Sequence, residues 1–560
     1  MDLHRAAAGI HTAAGAHTHN AAAGTRAAAG RRFPARAEVL AGLGAAALTA
    51  ALAGTVTSGA TLGGVTPLRG WYLADALLFA LAITLLRRVR DPRRTAALVL
   101  VGSVALALTG LLAPPRTSDD AYRYLWDGHV QAAGVSPYTY TPTDPALAGL
   151  RAADPALFPV GGSCVGWDLH RSGAICTHIN RPTVHTIYPP VAEAWFLGLY
   201  QAGRITGGHG VRTAQAGGAL LAVLSTGALL LILRRRRVPP HRAALWGWFP
   251  GVALWAVNDA HVDTLGVLLM TCGLATTAYA ATHATVRPSV QPGASALPGP
   301  SAQPGASAAR GASLGAVLLG AATATKLIPV LALPGAMAGV LRRGHRPGPR
   351  DLLVPAVALL TFLLCYLPYV LASGLGVIGY LPGYLQEEGY DQGTRFGLLT
   401  LLGLPLRLLP ALVAVILVAT VLLVLRLGDP ERPWRGALLV TGTALFLAAP
   451  GYPWYSLLVV ALVALDGRWE WLGLPAAAAA VVVFGGNAQQ PAYAAALCLL
   501  LAVTAVRTLL ATATAIAAVT AASAVTAPVA QQPPPRPDPA APAGPAAPVA
   551  PTPIRTASSR

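Results

Sequence analysis

Charge is what this sequence has least of. Asp, Glu, Lys and Arg make up 11% of its 560 residues, against about 25% in an ordinary soluble domain. With 54% hydrophobic residues and a mean hydropathy of +0.55, a water-soluble fold is excluded. Lysine is nearly missing, since only one of the 40 basic residues, Lys326, is lysine. Glycine-rich phosphate loops and Walker motifs are missing too, so nothing points to a bound nucleotide. The first thirty residues are Ala-, Gly- and His-rich without a long apolar core, and do not read as a cleavable signal peptide. Cysteine is scarce, at five residues. Cys272, Cys365 and Cys498 lie in apolar runs as small core hydrophobes. Cys164 and Cys176 share one polar loop, a possible disulfide if that loop faces an oxidising compartment.

What the sequence does have is apolar runs long enough to cross a hydrocarbon layer of about 30 Å. Candidate spans fall at 40–58, 71–87, 95–112, 213–233, 242–257, 262–282, 312–324, 327–341, 351–371, 410–427, 437–449, 455–466, 471–486 and 490–510. An all-α polytopic membrane protein with about 14 transmembrane helices is therefore expected. The net charge of +18 lies in short arginine clusters beside those runs. "RRVRDPRR" (87–94), "RRRR" (234–237), "LRRGHRPGPR" (341–350) and "RLGDPERPWR" (426–435) all fall inside if "GRRFPARAE" (30–38) is cytoplasmic. No basic stripe or stacking platform accompanies them, so nucleic acid is not an expected partner.

This count divides the chain into a low-complexity cytoplasmic head (1–38), three spans (39–113), a large outer loop (114–212), the remaining spans (213–510) and an Ala/Pro-rich tail (511–560) expected to be disordered. A flexible cytoplasmic linker is expected at 287–311, and both termini are placed in the cytoplasm. "YPPVAEAWFLGLYQAGRITG" (188–207) is apolar, but crossing there would put Arg234–Arg237 outside. With Glu193, Gln201 and Arg204 in it, the segment reads as a helix lying in the outer interface.

Directly after the third span comes "TSDDAYRYLWDGHVQ" (117–131). As a helix it sets Asp119, Arg123 and Asp127 on one face, with Tyr122, Leu125, Trp126 and His129 on another side. "INRPTVHTIYPP" (179–190) brings Arg181, His185 and Tyr188 to the far end of the same loop. "NDAHVD" (258–263) contributes Asn258, Asp259, His261 and Asp263 on the outer side, and "PGYPWYS" (450–456) contributes Trp454 and Tyr455. Polar and aromatic residues thus gather at the face opposite the cationic loops.

A helix ending outward in "DD", followed by "YRYLWDG" and later "IYPPVA", resembles the GT-C superfamily of membrane glycosyltransferases. It is most similar to actinobacterial polyprenyl-phosphate-mannose-dependent mannosyltransferases of the family 87 type. The resemblance runs from about 114 to 465, and the chain has two more spans before the acidic loop than the simplest members. It implies a GT-C-like bundle, a polyprenyl-phosphate sugar donor, a glycan or glycolipid acceptor and an active site on the extracytoplasmic face of the cell membrane.

The resemblance makes Asp119 the general base, with Asp120 as its competitor, and neighbouring carboxylates raise each other's proton affinity. A helix-dipole role for Asp120 is the alternative. The departing lipid phosphate needs cations, for which Arg123, Arg181, His185 and Arg395 in "YDQGTRFG" are candidates. Arg123 can equally pair with Asp119 and Asp127. Lys326 in "ATATKLIP" reads as a phosphate ligand or as a snorkelling interface lysine. Tyr124 and Asp127 join the substrate-binding set. Asp259, His261 and Asp263 suit sugar hydroxyls better than a divalent cation, and no cofactor is required. Trp454 and Tyr455 can stack on a sugar or serve as interface anchors. A secondary transporter or lipid-sugar flippase is the competing class, and it would favour midplane ionisable groups and paired repeats.

Overall fold

The computed structural model describes residues 36–161, 163–207, 210–285, 304–525 and 548–553. The head before residue 36, most of the 287–311 linker and the tail segments 526–547 and 554–560 lie outside the described residues. Residues 1–501 and 502–560 form separate compact units. Among the described residues of the second unit, helix Gln489–Val525 continues to its end, past the boundary expected at 510.

Among its described residues, the regular structure of the first unit is helical apart from one short hairpin. Among the described residues, eight helices are long and apolar enough to cross a membrane: Arg36–Thr57, Thr66–Leu86, Pro92–Thr109, Val211–Arg235, Asp263–His283, Leu353–Glu387, Leu406–Leu427 and Gly486–Ala517. They cover eight of the expected spans and make this a polytopic membrane protein. The other six expected spans fall on shorter pieces. Those at 312–324, 437–449, 455–466 and 471–486 meet the helices Ala308–Thr323, Pro433–Ala448, Pro453–Asp466 and Trp469–Phe484. The spans at 242–257 and 327–341 are broken. The first becomes a helical turn, Ala244–Gly247, followed by a π-helix, Val252–Asn258. The second becomes Ile328–Ala332 and Leu333–Ala336.

The bundle packs around Leu457–Asp466, in which every residue from Leu457 to Leu465 is buried. Small residues allow close approach, as membrane helices require in the absence of a hydrophobic drive between them. Gly102 lets the Trp248 indole lie against its helix and donate from Nε1 to the Val99 carbonyl at 3.1 Å. Gly273 and Gly315 do the same between Asp263–Thr285 and Pro304–Thr323.

The two ends of the bundle differ in chemistry. At one, arginines tie the basic loops together. Arg242 Nη1 donates to the Asp466 carbonyl at 3.1 Å, Arg435 Nε pairs with Asp466 Oδ1 at 2.9 Å, and Arg342 Nη2 reaches the Gly428 carbonyl at 2.9 Å. At the other end, the turns at 57–66, 110–119, 258–263, 324–327 and 449–456 meet the long segment 120–210. The two longest helices of that segment among its described residues are Asp120–Ala132 and Pro190–Thr206. They cross at Gly128, where any side chain would collide with the Phe196 carbonyl. A small core of Leu125, Trp126, Val130, Leu147, Leu157, Phe158 and Ile179 supports them. Between the two helices, His170–Ser172 and Ile175–Thr177 pair antiparallel beside the Cys164–Cys176 disulfide.

Candidate active site

Helix Asp120–Ala132 begins at the mouth of a cavity of about 690 Å³ at the loop-rich end. Nine of the residues singled out in the sequence line it: Asp119, Asp120, Arg123, Arg181, His185, Tyr188, Lys326, Trp454 and Tyr455. Tyr384, Tyr390, Tyr452 and Trp167 add aromatic surface to its walls. The acidic pair shares the lining with residues of the loops that follow Leu353–Ser373 and Pro433–Ala448.

Asn180 joins the two acids. Its Nδ2 donates to Asp119 Oδ1 at 2.6 Å and to Asp120 Oδ1 at 2.7 Å. The remaining Asp119 oxygen lies 2.6 Å from His170 Nε2, and Tyr188 donates its hydroxyl to Asp120 Oδ2 at 3.1 Å. The next residue, Arg181, turns through a left-handed φ of 47°, a strained backbone for a side-chain-bearing residue. Burial opposes ionisation of Asp120. The fields of His261 and Lys326, with the hydrogen bonds from Asn180 and Tyr188, outweigh it and hold the carboxyl below its usual range. His261 itself is pushed down to about 4 by burial, against the charges of Asp120 and Asp263 that pull it up.

Lys326 donates to Asp263 Oδ2 at 3.0 Å and sits between two rings, 5.3 Å from the centre of Tyr188 and 5.1 Å from that of Tyr455. Its position is built by the turn after Pro304–Thr323. The Ala324 carbonyl of that turn accepts from Val191 N at 2.8 Å, which seats the first turn of Pro190–Thr206. Arg123 forks onto Asp127 with Nε at 2.9 and 3.0 Å, while its buried Nη2 has no partner. Asp127 shares a closed polar nest with Glu193, whose carboxyl accepts from Thr186 at 2.8 Å and from Gln131 at 2.9 Å. Burial first, and then the charge of Asp127, raise Glu193 well above the carboxylate range. Burial raises Asp127 as well, with the Arg123 guanidinium opposing that rise.

The other expected residues lie off the cavity walls. Tyr124 is buried, stacked on Phe196 at 4.3 Å with its hydroxyl 3.4 Å from His261 Nδ1. Asn258 donates to the carbonyls of Gly110, Ala113 and Pro114 at 3.0, 3.0 and 3.2 Å. Asp259 accepts from the Arg116 and Thr117 amides at 3.0 Å each and from the Thr117 hydroxyl. Burial pushes Asp259 up to about 7 against those hydrogen bonds. Asn258 and Asp259 thus brace the strut 110–117 that presents the acidic pair. His261 stacks on Trp454 at 3.7 Å, linking the brace to the aromatic wall. Arg395 pairs with Glu388 at 2.7 Å, and Glu388 also accepts from the Tyr452 hydroxyl at 2.7 Å. Arg181 is paired with Glu387. Among the described residues, no group of three or more His, Cys, Asp or Glu side chains is placed to hold a metal ion.

Sequence reasoning missed His170, Asn180, Trp167 and Tyr452. Asn180 stands inside the "INRP" block next to Arg181, so its signal was there to read. His170 and Trp167 reach the cavity only because the hairpin folds back over the acidic pair.

The cavity thus brings together two carboxylates, of which Asp120 is held below its usual range, the cations Arg123, Arg181 and Lys326, and a set of aromatic ring faces. Comparison with protein-family models, with characterised proteins and with solved structures finds no match to this chain.

Proposed function

We propose that this protein is an inverting membrane glycosyltransferase, similar to the GT-C superfamily. It moves a hexose, mannose by the sequence resemblance, from a polyprenyl-phosphate donor to an acceptor hydroxyl on the extracytoplasmic side. The observation that carries the reading is the meeting of Asp119, Asp120, Arg123 and Lys326 in one aromatic-walled cavity, at the end of the bundle opposite the arginine-tied loops. In this reading the six shorter helical pieces complete a fourteen-pass bundle. The positive-inside bias then puts the basic end and both termini in the cytoplasm and the cavity outside. Nucleotide sugars do not reach that side, whereas a lipid-phosphate sugar does.

Asp119 takes the acceptor proton as the acceptor oxygen attacks the anomeric carbon, and the lipid phosphate leaves from the opposite face with its electron pair. Asp120, held below its usual range, serves as a fixed negative charge beside the sugar. Lys326 and Arg123, both on the cavity lining, offset the negative charge that develops on the phosphate. The ring faces of Trp454 and Tyr455 hold the sugar or the first isoprene units.

The test is to reconstitute the protein in vesicles with radiolabelled polyprenyl-phosphate mannose and a glycolipid extract of the host membrane. Label appearing on an acceptor, with donor consumed, supports transfer. Donor relocated between leaflets but chemically intact would instead establish the flippase class.

A further inference from the structure

The hairpin over the acidic pair has no role in the chemistry just assigned, yet it is anchored three ways. The Cys164–Cys176 disulfide closes it. His178 stacks on Tyr122 of the acidic helix at 4.8 Å and bonds Asp168 Oδ2 at 3.1 Å. Trp167 lies against Gly63 in the turn between the first two helices. The product of this anchoring is a single polar contact inside the cavity. His170, opposite Thr177 on the hairpin, places Nε2 2.6 Å from Asp119 Oδ2. The His170 side chain is one-third exposed, so packing does not require a histidine there.

We propose that His170 is a positioning residue for Asp119, delivered by the disulfide-closed hairpin. Its imidazole fixes the carboxylate through Nε2–H, and its charge decides whether Asp119 can take a proton from the acceptor. The kinetic consequence rests on the glycosyl-transfer reading; the pairing itself can be measured without turnover.

The hydrogen bond to Asp119 raises His170 above the ordinary histidine value. Burial and Arg181 work against that rise, and the charges of Asp119 and Asp168 add to it. While His170 is an imidazolium, a full positive charge rests on Oδ2, and a carboxylate so compensated is a poor base. As pH rises through the raised value, the imidazolium loses its Nδ1 proton to solvent. The Nε2–H bond to Asp119 remains, and the carboxylate regains its proton affinity. The rising limb of kcat against pH then belongs to His170.

His170→Gln keeps an N–H donor but does not titrate. It is expected to shift the rising limb to lower pH with KM little changed, whereas His170→Ala lowers kcat about tenfold or more. Reducing the Cys164–Cys176 disulfide in wild type should reproduce the His170→Ala profile. Independently, a histidine-labelled protein in detergent reports the His170 titration by NMR, assigned by the resonance lost in His170→Gln. Its midpoint is expected above the ordinary value of about 6.5 and to fall toward that value in Asp119→Asn. An unchanged limb in His170→Gln, or the same His170 midpoint in wild type and Asp119→Asn, overturns the inference. A raised midpoint that falls in Asp119→Asn, in a protein that transfers no sugar, leaves the pairing standing and removes the transferase reading.

Discussion

Asp119 and Asp120 are adjacent in sequence and differ in their partners: one is held by the His170 imidazole, the other lies in the fields of His261 and Lys326. The acidic block was legible because charge is so rare in this chain that three carboxylates in fifteen residues stand out. Lys326 was legible for the same reason. The roles of Asn258 and Asp259 were not, because an acid in a polar loop looks the same whether it meets substrate or backbone amides. Only their hydrogen bonds to 110–117 separate the two cases.

Glu193 gives a prediction at this scale. Its carboxyl holds its proton in the folded state to higher pH than in the unfolded chain. Unfolding therefore releases a proton, and stability falls as pH rises from the unfolded glutamate value toward the folded one. The slope is at most about 1.4 kcal/mol per pH unit. Thermal unfolding in detergent should show a Tm that declines as pH rises above the free glutamate value of about 4.3 in wild type and declines less in Glu193→Gln. Equal slopes would mean that Glu193 is ionised in the fold.

At the scale of elements, the acidic helix was readable from its spacing, and so was the second helix at 188–207, whose Glu193, Gln201 and Arg204 argued against a crossing. The hairpin was unreadable because its two strands have three residues each and its order depends on the disulfide and on Tyr122. The π-helix Val252–Asn258 was equally hidden, since one wider turn leaves no mark in a hydrophobic run. Two substitutions test this layer. Gly128→Ala forces the acidic helix away from the Phe196 carbonyl, costing about 1–3 kcal/mol, and it should lower transfer by displacing Tyr188 and Glu193 relative to Asp120. Asn258→Ala removes the donor shared by three carbonyls and should cost about 1–3 kcal/mol, read as a lower detergent Tm with KM for donor unchanged in the molecules still folded. A Tm equal to wild type in either variant would contradict the packing described.

At the scale of the whole molecule, hydropathy alone located the eight long helices, because a run of about twenty apolar residues matches the thickness of a bilayer and is seldom found in a soluble core. It was less informative about the short and broken pieces, where Gly, Pro and polar turns interrupt the run and tertiary packing decides the ends. The sidedness proposed here has its own check. Single cysteines replacing exposed Val165, beside the hairpin, and Arg346, in a basic loop, are offered to a membrane-impermeant thiol reagent on intact cells, in a background of Cys164→Ser, Cys176→Ser and serine at the other three cysteines. Val165→Cys should label and Arg346→Cys should not; the opposite pattern would invert the bundle and place the cavity in the cytoplasm.

The central claim is that the acid pair performs base catalysis on sugar transfer. It is tested most directly by the transfer rate from radiolabelled polyprenyl-phosphate mannose in membranes holding wild type, Asp119→Asn or Asp120→Asn at matched levels. Loss of about 10²–10⁴-fold in Asp119→Asn, with a smaller loss in Asp120→Asn and unchanged Tm in both, is the predicted result. Equal rates in all three proteins would contradict it and remove the acidic pair from the chemistry.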